Sequence, residues 1–190
     1  MRLAELLSGH ARTGANIAVR GLSLNSRDIK PGDVFIAVQG ARQHGLAHVR
    51  QALELGASAV LYEPCGASEW LDGDHRDVPF IAVDDLNIKL GAIASRFYGE
   101  PSDRLNVIGI TGTNGKTSCS QFLAQTLGRC GIIGTLGWGI WGRLHQTINT
   151  TPDALAIQRM LANLVDDRLA TVAMEVSSHG LEQGRVKGIR

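Results

Sequence analysis

The apolar positions of this chain fall into short runs separated by amphipathic stretches, a pattern that predicts strands and helices in alternation. A strand is expected in 17–24, leading into Asn25-Ser26-Arg27. A second follows the Pro31-Gly32-Asp33 turn at 34–38, a third lies at 58–62 and a fourth at 78–83. Helical spacing is found at 3–7 and at 47–55, where Gly56 stops it. Leu86, Leu90, Ile93 and Phe97 recur at three or four residues and predict a helix over 86–98, capped by Asp84 or Asp85. The polar stretch 63–77, with Trp70 and His75, has no ligand spacing and reads as a surface excursion.

Gly99-Glu100-Pro101-Ser102-Asp103 ends that helix and starts nothing periodic, so a linker is placed at 99–103. The first domain is then 1–98, and a second begins at 104. Its opening apolar run at 107–110 reads as a buried strand, followed by a glycine-rich turn and a helix over 118–127. Glycines at 134, 137, 139 and 142 break up β-type residues, as in a strand and hairpin. A helix from about 152 to 165 follows, with Thr151 as its N-cap and Pro152 in its first position. The apolar run 169–176 suits a buried parallel strand. The fold class expected is α/β: a small N-terminal α/β domain, then a truncated P-loop-type central domain with a mainly parallel sheet. The second half supplies about three strands where open doubly wound sheets use about five or more. The chain is therefore expected to be the N-terminal piece of a longer enzyme, inactive by itself.

Composition narrows the partners. With 44% hydrophobic residues the 190-residue chain can bury a sizeable core. A net charge of +1 gives no long-range reason to expect nucleic acid or an anionic membrane. Cys65, Cys119 and Cys130 are far apart and odd in number, which fits a reducing compartment; Cys119 reads as a small buried helix residue. No segment approaches 18 uninterrupted apolar residues, and a cytoplasmic location is expected.

The candidate chemistry centres on Val107-Ile108-Gly109-Ile110-Thr111-Gly112-Thr113-Asn114-Gly115-Lys116-Thr117-Ser118. Gly112 and Gly115 let the backbone fold around an anion, so that N–H groups and the helix N-terminus face it. Lys116 adds a point charge for outer phosphates, and the Thr117 hydroxyl is placed to reach Mg2+. The usual pattern has a glycine where Ile110 stands, so this is a variant loop. Glu175, at the end of the run 169–176, is the candidate second metal-holding group, because a buried strand seldom admits an unpaired carboxylate. Ser177, Ser178 and His179 are poor candidates for a nucleophile and base, since loop neighbours rarely aim at each other. His179 reads as structural or as part of a substrate shell. His10, His44, His48, His75 and His145 are isolated and default to surface or satisfied core. Arg185 and Lys187 are anion-binding or solvated, with Arg185 favoured.

The loop 109–117 resembles the nucleotide loop of the Mur ligases, the ATP-dependent amide-forming enzymes of peptidoglycan precursor synthesis, and that of the related folylpolyglutamate synthetases. Three further stretches narrow the match to the Mur ligases that add the third amino acid: Ser26-Arg27 with Gly32-Asp33-Val34-Phe35-Ile36-Ala37, Asn149-Thr150-Thr151-Pro152, and Met174-Glu175-Val176-Ser177-Ser178-His179-Gly180-Leu181. The resemblance implies ATP and Mg2+ as cofactors, and UDP-N-acetylmuramoyl-L-alanyl-D-glutamate and a diamino acid, diaminopimelate or lysine, as substrates of a monomer. Carried over by motif, Leu24, Ser26, Arg42 and Gln43 would contact the uridine diphosphate end, His44 standing where the family commonly has an acidic residue. Asn149, Thr150, Thr151, Ser177, Gln183 and Arg185 would hold the muramoyl dipeptide. Gly112, Thr113, Asn114, Gly115, Lys116, Thr117 and Ser118 would hold ATP, with Thr117 and Glu175 on the metal and Lys116 and Glu175 as the catalytic pair. Another Mur ligase, a folylpolyglutamate synthetase and a non-catalytic nucleotide-binding module are the competing readings; the Ser-Arg loop argues against the folate enzyme.

Overall fold

The computed structural model describes residues 1–40, 43–71, 77–147 and 149–190. The chain divides into two compact units, 1–89 and 90–190. The first holds α1 (Leu3–Leu6), β1 (Gly21–Ser23), β2 (Asp33–Ala37), α2 (Val49–Glu54), β3 (Ala59–Tyr62) and β4 (Phe80–Ala82). The four strands pair in chain order, all parallel. The interior strands are the most apolar: all five residues of β2 are buried, and Phe35 and Val60 pack with Ile29, Leu46 and Val49. Every predicted strand is present: β1, β3 and β4 are shorter than expected, and β2 is shifted one residue towards the N-terminus. Helix α2 starts two residues later than its spacing suggests, because Gly45–His48 forms a tighter 3-10 turn.

Helix α3 (Leu86–Phe97) carries the division between the units. It ends where Gly99 and Glu100 take up left-handed backbone, and the predicted linker runs into a 3-10 turn, Pro101–Arg104. Then follow β5 (Asn106–Ile110), α4 (Lys116–Thr126), β6 (Cys130–Gly134), β7 (Gly137–Ile140), β8 (Arg143–His145), α5 (Ala154–Asp166), β9 (Thr171–Glu175) and α6 (Ser178–Glu182). The sheet order is β5-β9-β6-β7-β8, parallel from β5 to β6 and antiparallel beyond. The mixed α/β class with a mainly parallel core is borne out. Among the described residues five strands stand where about three were expected, since the glycine-rich stretch builds two antiparallel strands.

Two further expectations are corrected. β5 is an edge strand here, half-exposed along its length, so its apolar run does not signal burial on both sides. Helix α5 is capped by Asp153, whose carboxylate accepts from the Ala156 N–H at 2.8 Å; Thr151 is not the cap. Ile157, Leu161 and Leu164 of α5 meet Ile133, Val172 and Met174 of the sheet in the core of this unit. Among the described residues no helix is long and apolar enough to cross a membrane.

Candidate active site

Three parallel strands deliver their carboxyl ends to one edge of the second unit. β9 lies between the other two, with Ile110 opposite Glu175 and Ile133 opposite Met174. The residues just past these strands therefore converge: the 111–115 loop after β5, Glu175 at the end of β9, and Thr135 just after β6. Open α/β sheets bind ligands at this edge.

The loop after β5 turns at Gly112 and Gly115, both at positive φ (147° and 79°), conformations that favour glycine. Helix α4 begins at Lys116, two residues earlier than expected, so Lys116, Thr117 and Ser118 form its first turn. Gly109 belongs to β5, where a side chain would meet only ordinary contact, so it is not a loop glycine. The Lys116 ammonium donates to the Gly112 carbonyl at 2.6 Å, across the loop it would share with an anion. A cavity of about 260 Å³ is lined by Thr113 to Ser118, Thr135, Thr150 and Glu175. That is room for phosphates and a cation, and less than most whole-ligand pockets.

Glu175 is 1% exposed, and its carboxylate is fully engaged. Thr117 Oγ1 donates to Oε2 at 3.0 Å; the Thr135 N–H donates to Oε1 at 3.0 Å, and the Thr135 hydroxyl lies 3.0 Å from Oε2. Gly134 makes room for it: a Cβ there would lie 2.2 Å from Glu175 Oε1. Sequence reasoning named Thr117 and Glu175 but missed Gly134 and Thr135. Their one signal is a Gly-Thr pair at the end of an apolar run, lost among the glycines of the hairpin. The donor set is one carboxylate and hydroxyl oxygens, and no cluster of three or more His, Cys, Asp or Glu exists among the described residues. Such a sparse, all-oxygen site fits Mg2+, which takes one or two protein ligands and completes its shell with phosphate and water.

Beside this group lies the 149–151 loop. Thr150 Oγ1 is 3.0 Å from Thr135 Oγ1, and the Thr147 hydroxyl donates to the Gly134 carbonyl. Thr151 is buried because its hydroxyl donates to the Glu175 carbonyl and accepts the Ser177 N–H at 2.9 Å; this takes it away from the helix-capping role. Ser177 itself caps α6, accepting from the Gly180 N–H, so 178–182 is a short helix and not the expected loop. Ser178 and His179 lie exposed in its first turn. The Arg185 guanidinium is held between the Thr151 carbonyl (2.6 Å) and the Gln183 side chain (2.6 and 2.8 Å). Asn149 is exposed at the start of the loop. The structure thus gathers Thr150, Thr151, Ser177, Gln183 and Arg185 around the end of β9.

The remaining candidates lie in the first unit. Leu24 is half-buried, and Ser26 is buried, its hydroxyl donating to Gln51 Oε1 at 2.7 Å. Gln43 is exposed beside His48, and Arg42 lies outside the described residues, as does His75. His44 is a satisfied core residue. Its Nδ1 accepts the Leu46 N–H at 3.0 Å, so Nε2 carries the proton and donates to the Glu63 carbonyl at 2.9 Å. Cys119, expected to be buried, is exposed on α4; the buried thiol is Cys130.

Strand, glycine loop and helix on a mainly parallel sheet place the second unit among phosphate-loop α/β proteins. Residues 110–190 match the Mur ligase middle domain and residues 18–98 match the Mur ligase family, catalytic domain. The chain belongs to the Mur ligase family, as its motifs suggested. It is 53% identical over 178 residues to the UDP-N-acetylmuramoyl-L-alanyl-D-glutamate--2,6-diaminopimelate ligase of Pseudomonas aeruginosa, covering 92% of this chain and 36% of that protein. To the ligase of the same name from Alkalilimnicola ehrlichii it is 51% identical over 181 residues, with 90% and 36% covered. A solved structure of a ligase of that name superposes with a TM-score of 0.79 at 29% identity, over 99% of this chain and 38% of its own. The chain spans a little over a third of the length of these relatives.

Proposed function

We propose that this chain provides the uridine-nucleotide unit and the ATP-binding core of a ligase that joins 2,6-diaminopimelate to UDP-N-acetylmuramoyl-L-alanyl-D-glutamate. The observation that carries this reading is the convergence of Lys116, Thr117 and Glu175 with the Thr150-Thr151-Ser177-Arg185 cluster at one sheet edge. The relatives' names supply the substrates. Phosphate oxygens would lie against the α4 N-terminus and the Lys116 ammonium, which leaves the Gly112 carbonyl to meet them. Thr117 and Glu175 would hold Mg2+, which neutralises charge on the transferring phosphoryl group. The side-chain carboxylate of the D-glutamate, positioned by the Arg185 cluster, attacks the γ-phosphorus and ADP leaves. The amine then attacks the resulting acyl phosphate and inorganic phosphate leaves. The protein's part is alignment and charge neutralisation.

The test is a segment exchange. Residues 1–190 replace the matched segment of the Pseudomonas aeruginosa ligase, and ligation of diaminopimelate is followed as ADP release and product formation. The exchanged enzyme is expected to ligate, and Lys116→Ala in the same background to lose ligation while still binding the uridine nucleotide. Retained ligation in the Lys116→Ala enzyme would refute the loop's role. Preference of the 190-residue chain for a folate or a UDP-muramoyl tripeptide over the dipeptide would refute the substrate.

A further inference from the structure

Thr135 belongs to neither the glycine loop nor the 149–151 loop, yet it touches the residues on which both depend. Its N–H holds one Glu175 oxygen, and its hydroxyl lies at 3.0 Å from both Glu175 Oε2 and Thr150 Oγ1. A hydroxyl has one proton, so while it donates to Glu175 it can only accept from Thr150, and when it donates to Thr150 it no longer serves Glu175. The choice is set by how strongly Glu175 is occupied on its other side, where Thr117 already donates to the same oxygen. The turn is also tied to the substrate-side loop through Thr147 on the Gly134 carbonyl. Demand at Glu175 is therefore transmitted to Thr150 through one side chain.

We propose that Thr135 is a positioning residue that couples metal-nucleotide binding at Thr117 and Glu175 to ligand binding at the 149–151 loop. This rests on the nucleotide and muramoyl-dipeptide assignments made above. Thr135 is exposed, so replacing its hydroxyl by a methyl group leaves the core untouched.

Calorimetry on the 190-residue chain tests it, with ADP titrated in EDTA and in excess Mg2+, each with and without UDP-N-acetylmuramoyl-L-alanyl-D-glutamate. In the unmodified chain the muramoyl dipeptide is expected to tighten Mg-ADP about tenfold, with the reciprocal effect on the dipeptide. In Thr135→Val the ratio falls to near one; the Thr135 N–H still holds Glu175 Oε1, so the chain still melts cooperatively and both ligands still bind singly. Thr135→Ser keeps the ratio. A Thr135→Val chain with the coupling intact overturns the proposal, as does Thr135→Ser losing it to the same extent, because shape and not the hydroxyl would then be responsible. An unmodified chain that binds both ligands without coupling overturns this inference alone. One that binds neither overturns the ligase reading and this inference with it.

Discussion

Gly134→Ala separates the placement of Glu175 from the stability of the fold. The added methyl would lie 2.2 Å from Glu175 Oε1, 2.7 Å from Cδ and 2.8 Å from Cγ. Carbon and oxygen come no closer than about 3.3 Å without cost, so the nearest contact is short by about 1 Å. β6 is paired on both sides, by β9 and β7, and its backbone has nowhere to retreat. The flexible carboxylate must move instead, into the neighbouring cavity. It then gives up at least one of three hydrogen bonds at 3.0 Å, each worth about 1.5–3 kcal/mol for a charged acceptor. Water in the cavity re-solvates it, so unfolding in urea should show a loss of only about 1 kcal/mol. The metal site has no such substitute. Mg2+-dependent ADP affinity should drop roughly 10- to 100-fold, with ADP affinity in EDTA preserved. Unchanged Mg2+ dependence in a folded Gly134→Ala chain would refute the placement of Glu175 at the metal.

Two further substitutions have signs that the structure determines. Gly91→Ala lies inside α3, where propensity favours Ala by about 1 kcal/mol, but its Cβ would come within 1.7 Å of the Lys187 carbonyl oxygen. Separating these backbones breaks the 2.9 Å bond from Gln158 to the Gly188 carbonyl, so the melting temperature should fall by about 5–10 °C, and a rise would show that the contact is not made. Burial pushes the Cys130 thiol above its ordinary range. Its contribution is therefore fully present at neutral pH and lost as pH climbs past the unfolded thiol's value, where the unfolded chain ionises first. Cys130→Ala should flatten that alkaline decline in urea unfolding. In the native chain a thiol reagent should modify Cys65 and Cys119 while sparing Cys130, and fast labelling of Cys130 would contradict its burial.

The elements that sequence patterning located best are those whose burial and period agree. β2 is buried throughout and apolar from Val34 to Ala37 because both its neighbours are strands, and α5 buries one face at helical spacing. It misjudged elements whose environment is set from a distance. β5 looks like β2 in composition yet, among the described residues, pairs only with β9. The hairpin of β7 and β8 was underestimated because its glycines serve backbone conformation: Gly137 and Gly139 sit at φ 131° and 134° inside the ladder. Thr151 lost the capping role to Asp153 because the helix starts at Ala154, two residues later than expected, and the Thr151 hydroxyl is turned to Glu175 and Ser177 instead.

The same distance rule explains the site. A carboxylate at the end of an apolar strand announces a demand for donors, and that much is readable at Glu175 itself. Its suppliers, however, stand 58 residues before it at Thr117 and 40 before it at Thr135. A carboxylate ending a strand can be reached only from the two adjacent strand ends. Which ends those are depends on the order β5-β9-β6, and so on how α4 and α5 carry the chain across the sheet. Thr117 could be named early because the glycine loop marks it locally. Thr135 has no mark of its own, and becomes a functional residue only once β6 is known to lie beside β9.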